Sequence, residues 1–170
     1  MADSNITKRA LGAAFKELME EVPFKKISIS DICEKCHMNR KSFYYHFKDK
    51  YDLVNWIFDT EFVAAAPDSS GDPWPLMEAL CRYFYENRSF YQKILQIQGQ
   101  NSFCEHFRGY VHPLLCRRIA ALVRTRTLPQ AHVNFFADGI VCFIMRWLLD
   151  KDCMHPEEFV RILDRLMASA

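Results

Sequence analysis

The stretch ISISDICEKCHMNRKSFYYHFKDKYDL, residues 27–53, decides how the chain is read. Ser28 and Asp31 stand at the S-x-x-D spacing in which each side chain can bind the other's backbone amide, and this predicts a short helix over Ile29–Cys36. His37 then occupies a turn. Asn39 is a natural N-cap for another short helix, Arg40–Phe47, because its amide oxygen can accept from the unpaired N–H groups of a first turn. Asp49 can cap a further helix running from Lys50 to about Ala65. Short helix, tight turn, short helix is the helix-turn-helix pattern. Upstream, Ala10, Leu11, Ala14, Phe15 and Leu18 share one stripe of a helix over Thr7–Glu21, which Pro23 ends.

Within the Arg40–Phe47 helix, Phe43 and Phe47 project to the same side and are expected in the core. Lys41, Ser42 and Tyr45 then face the opposite way, flanked by Tyr44 and His46. Such a face suits DNA: Lys and Ser can donate to base edges, while Tyr hydroxyls, His46 and the nearby Lys50 can reach phosphates. The plainer alternative is an amphipathic helix whose aromatic rings pack on neighbours. Charge favours DNA, since residues 35–50 hold five bases against the single acid Asp49, whereas residues 61–170 hold twelve of each.

Working outward, a chain of 170 residues that is half apolar can bury a substantial core. Five glycines, little strand-like alternation and widespread helical spacing predict an all-α fold. The segment PDSSGDPWP, residues 67–75, cannot continue a helix and marks the boundary. The division is a helix-turn-helix domain over 1–50, a connecting helix over 51–66, and an all-helical domain over 67–170. In the last, helices are expected near 75–87, 89–97, 101–125 (ended or kinked by Pro113), 129–150 and 156–168. The N-terminus has no apolar signal region, and Asp138 and Arg146 interrupt the most apolar later run. We therefore expect no signal peptide, no membrane span and a cytoplasmic location. Seven scattered cysteines fit reduced thiols better than a disulfide framework.

Other constellations carry weaker messages. Cys33-x-x-Cys36 has a zinc spacing but lacks a second pair, so neither metal nor cofactor is expected. Tyr83, Phe84, Tyr85, Phe90, Tyr91, Phe103, Phe107 and Tyr110 either line a pocket or fill a core, and periodicity does not separate the two. Residues 132–150 are too apolar for a solvent-facing helix of a monomer. They are buried in the domain or paired with a second copy, together with the stripe Phe159, Ile162, Leu163 and Leu166. No phosphate loop, nucleophile elbow or H-E-x-x-H appears, and we expect no enzyme.

The run from Thr7 to about Phe58 resembles the N-terminal DNA-binding domain of TetR/AcrR-family transcriptional regulators. The resemblance rests on the aromatic-aromatic-His-Phe run, a Lys three residues after Phe47 and a Leu three further on. More narrowly, FYYHFKDKYDLVNWIF and YFYENRSFYQKIL are similar to regulators grouped with dihydroxyacetone kinase operons. The resemblance implies that Ser28 meets a phosphate, that Arg40, Lys41, Ser42 and Tyr45 face bases, and that Tyr44, His46 and Lys50 bind the DNA backbone. Asn39 at the helix start completes the set. His37 and Lys41 depart from the family's pattern, both standing where Gly is common; His tolerates a left-handed turn better than most residues. The resemblance also implies a homodimer joined through its last two helices, a small-molecule or protein effector in the C-terminal domain, and repression as the sign. The competing expectation is a helical sensor or scaffold whose helix-turn-helix holds a protein partner.

Overall fold

The computed structural model describes residues 2–68, 71–97, 103–122 and 129–168, and among them every regular element is helical. Helices α1 (Ala2–Glu21), α2 (Ile29–Lys35) and α3 (Arg40–His46) form an N-terminal head. Helix α4 (Lys50–Glu61) leaves it, ending in a 3-10 turn at Val63–Ala65. A bundle follows, made of α5 (Trp74–Glu86), α6 (Arg88–Leu95), α7 (Phe103–Leu122), α8 (Gln130–Leu149) and α9 (Pro156–Ala168). Helix α1 starts ahead of the expected Thr7, since nothing between Ala2 and Ile6 breaks a helix. The expected ends of α7 at 101–102 and 123–125 lie outside the described residues.

In the head, Leu11, Phe15, Ile32, Phe43 and Phe47 are buried together. Gly12 faces α4, where a Cβ would stand in ordinary contact, 3.4 Å from both Ile57 and Trp56 side chains. The core does not stop at the boundary segment. Phe58 of α4 is fully buried, stacked on Phe84 at 5.8 Å between ring centres, with Phe103, Phe107 and Tyr110 edge-on at 5.4, 6.4 and 5.7 Å. Tyr91 and Phe84 are fully buried in the same cluster, so these rings pack on one another.

The boundary segment is tied down from the bundle side. Arg118 of α7 donates to both oxygens of Asp72, at 2.9 and 3.0 Å, and to Asp164 of α9 at 3.2 Å. Its guanidinium lies 5.3 Å from the Trp74 ring centre, which fixes the start of α5 against α7 and α9. Pro113, expected to end or kink its helix, lies inside a continuous α7. The residue four positions earlier, whose carbonyl faces the proline ring, is Gly109.

Helix α8 is long and apolar enough to cross a membrane. Here its Val133, Ala137, Ile140, Val141, Ile144 and Leu148 are buried against the bundle. Phe135 remains 74% exposed, and Phe143 and Leu149 are also exposed.

Removing the ring at the centre of the cluster tests the shared core. Phe58→Ala is expected to lower unfolding free energy by about 3–5 kcal/mol, read from urea titration. A loss below about 1 kcal/mol would show that the ring is peripheral.

Candidate nucleic-acid interface

Local caps set the geometry of the head. Ser28 Oγ accepts from the Asp31 amide at 3.2 Å, and the Ser28 amide donates to Asp31 Oδ2 at 2.7 Å. These bonds hold the Asp31 carboxyl below the usual carboxylate range. Helix α2 then stops in a Schellman arrangement: the Met38 amide reaches the Cys33 carbonyl at 2.8 Å and the His37 amide the Glu34 carbonyl at 3.1 Å. The residue that makes this turn is His37, with φ of 55° in the left-handed region.

Helix α3 begins at Asn39, whose Oδ1 accepts from the Ser42 amide at 2.9 Å and the Ser42 hydroxyl at 3.2 Å. Phe43 and Phe47 point into the core, and Phe47 meets Trp56 edge-on at 5.6 Å. The opposite side carries Lys41 and Tyr45, the latter 83% exposed, with Ser42 half-buried beside them. On one flank Arg40 leans on Tyr44, its Nη2 3.5 Å from the phenol oxygen and its guanidinium 5.9 Å from the ring centre. On the other flank His46 packs edge-on against Tyr45 at 4.9 Å.

Three acids beside α3 are engaged by main-chain amides. Asp49 accepts from the Tyr51 and Asp52 amides at 2.8 and 2.9 Å, and Asp52 accepts from the Lys48 amide at 3.0 Å. Together with Asp31 they serve as backbone caps, which leaves the outward face to bases and aromatic hydroxyls.

Two bases of the expected cluster are engaged within the protein. Lys35 pairs with Glu17 at 3.3 Å. Lys50, expected on a phosphate, directs its Nζ to the Phe24 and Ile27 carbonyls at 2.7 and 2.8 Å and lies 4.3 Å over the Phe24 ring. Burial there pulls its pKa down. It therefore pins the 3-10 turn Phe24–Lys26 to the start of α4. That turn presents Lys25 and Lys26, both exposed, just ahead of the Ser28 cap. Two lysines just ahead of a capping box are a legible sign of a basic edge, absent from the expected contact set.

Cys33 is buried, and Cys36 Sγ donates to the Ile32 carbonyl at 3.2 Å. Burial pushes both thiols up, away from the thiolate a metal requires. Among the described residues no group of three His, Cys, Asp or Glu has metal-ligand geometry.

Comparison with known proteins places this geometry. Residues 11–57 match the family described as "Bacterial regulatory proteins, tetR family", and residues 72–169 match "Transcriptional regulator C-terminal region" of the TetR group. The chain is 38% identical over 110 residues to the HTH-type dhaKLM operon transcriptional activator DhaS of Lactococcus lactis subsp. lactis (strain IL1403). That match spans 63% of this chain and 57% of the relative's length. A solved structure of a dihydroxyacetone kinase operon activator DhaS overlays with a TM-score of 0.70 at 25% identity, covering 96% of this chain and 95% of the other. NalD, the secondary repressor of the MexAB-OprM multidrug efflux pump in Pseudomonas aeruginosa, shares the fold at 19% identity with a TM-score of 0.63, over 97% and 95% of the two chains.

Two substitutions check the head's local geometry. His37→Gly is expected to raise thermal stability, by about 1 kcal/mol, because glycine adopts the left-handed turn without a Cβ; a loss of stability would mean that the His37 ring makes a compensating contact. Lys50→Met should cost about 1–3 kcal/mol in urea unfolding by leaving the Ile27 carbonyl without its lysine partner and removing one bond from the Phe24 carbonyl. The same variant should leave the salt dependence of DNA affinity unchanged, whereas loss of a phosphate contact would reduce its slope by about one.

Proposed function

The chain belongs to the TetR family of bacterial regulatory proteins, and we propose that it is a homodimeric transcriptional regulator that reads DNA through α3. The family is one of non-enzymatic regulators. The observation that carries the reading is the outward face of α3, which presents Lys41, Ser42 and Tyr45 while the carboxylates of Asp31, Asp49 and Asp52 are held by main-chain amides as helix caps. In this reading Lys41, Ser42 and Tyr45 meet bases, with Arg40 beside them. Ser28, Tyr44 and His46 meet the backbone, Asn39 holds the helix start, and Lys50 acts by supporting the turn. The head is residues 1–50, residues 51–66 connect, and 67–170 form the regulatory and dimerisation unit.

A second copy is the proposed occupant of the outer faces of α8 and α9, where Phe135, Phe143 and Leu166 are exposed. Two copies are needed to hold recognition helices about 34 Å apart, one turn of DNA. The operator affinity is proposed to respond to a small molecule or partner protein at the bundle, through contacts that cross from it to the head. His106 of α7 reaches Asp59 of α4 at 2.7 Å. Glu61 holds Lys16 of α1 at 2.9 Å and accepts from the Tyr83 hydroxyl at 3.1 Å. Tyr83 in turn lies 2.8 Å from the buried Tyr91 hydroxyl. An effector favouring one placement of α6 and α7 would thereby favour one spacing of the heads. The sign we assign is activation, supported by the name of the 38% identical relative, in place of the repression that resemblance alone suggested.

Fluorescence anisotropy against the DNA upstream of the chain's own gene, with scrambled competitor and several salt concentrations, tests the reading. Tight binding that survives competitor supports it; binding lost equally to any DNA favours the protein-partner alternative. Phe135→Asp should yield a monomer by sedimentation and weaken operator binding on the order of 100-fold, as expected when two linked half-sites become independent. A dimer of unchanged affinity would place the interface elsewhere.

A further inference from the structure

The chemistry of α3 also constrains what the helix can read, and this inference rests on the proposal that α3 enters the major groove. Four base edges are presented there. Guanine offers two acceptors, N7 and O6; adenine offers an acceptor and a donor; cytosine offers a donor; thymine offers an acceptor and a methyl group. Reading adenine well takes a side-chain amide that both donates and accepts, and reading cytosine well takes a carboxylate. The only side-chain amide at α3, that of Asn39, has its oxygen engaged by the Ser42 amide and hydroxyl. The carboxylates of Asp31, Asp49 and Asp52 are engaged by backbone amides. Ser42 has its proton directed to Asn39. Arg40 leans on Tyr44 at the flank. At the centre of the outward face this leaves Lys41, exposed and carrying donors alone, and one helical turn on the Tyr45 hydroxyl, whose single O–H cannot pair with two atoms of a base edge.

We propose that Lys41 is the specificity-determining residue of the interface and that each operator half-site carries a guanine whose N7 and O6 accept from its ammonium. Because Lys41 is exposed and on the face opposite Phe43 and Phe47, substituting it leaves the core of the head untouched.

Selection of binding sites from a randomised double-stranded DNA pool, with the parent, Lys41→Gln and Lys41→Arg, tests this. The parent should enrich half-sites with an invariant guanine. Replacing that guanine by 7-deazaguanine, which lacks N7, should weaken binding at least tenfold, while inosine, which keeps N7 and O6, should leave it nearly unchanged. Lys41→Arg should retain the guanine and Lys41→Gln should lose or exchange it for adenine. An enriched site that tolerates 7-deazaguanine throughout, or the same guanine preference with Lys41→Gln, overturns the assignment while leaving DNA recognition by α3 intact. If the parent enriches no sequence at all, the DNA-reading proposal falls with it.

Discussion

The stacking of Phe58 on Phe84, with Phe103, Phe107 and Tyr110 around its edge, obliges helix α4 to serve two cores at once. The same helix buries Leu53, Val54 and Ile57. In the proposed reading this shared helix is what couples the bundle to the head, since close-packed interiors shift between discrete arrangements more readily than they deform. The polar contacts at the outer end of α4, Asp59 with His106 and Glu61 with Lys16 and Tyr83, sit where such a shift would be felt first. They are half-exposed pairs of modest individual strength, so they suit a contact that must be remade as well as one that must hold.

Much of the head was legible because its determinants are local. Ser28, Asn39 and Asp49 each cap the helix that follows within three residues, and no distant partner is needed to recognise them. The turn at His37 followed from the gap between two caps. The packing of Lys50 was not legible for the opposite reason: its partners are the carbonyls of Phe24 and Ile27, more than twenty residues away, and no spacing rule announces a lysine bound to main chain. Periodicity left the rings of α5 to α7 undecided between a lining and a filling, since that depends on how helices cross. The early start of α1 and the passage of α7 through Pro113 show where breaker rules yield to context.

The head achieves its surface charge by an economical route. Of its bases, Lys35 and Lys50 are bound within the protein. On the outward face of α3 the bases count for more because Asp31, Asp49 and Asp52 serve as helix caps, where each meets the positive end of a helix and stabilises the fold. Fold stability and surface potential are therefore met by the same side chains.

Lys93 of α6 donates to the Met19 carbonyl at the end of α1, 74 residues away in sequence, and Phe90 meets Phe15 edge-on at 6.1 Å. The last turn of the first helix is thus completed by a part of the chain made much later. On a ribosome adding about 5–20 residues per second, those 74 residues correspond to roughly 4–15 s. During that interval the nascent head carries its helix signals and its basic surface without the contacts that close α1. Its final order arrives with the synthesis of the bundle, so a truncated or stalled chain would present an incompletely closed head.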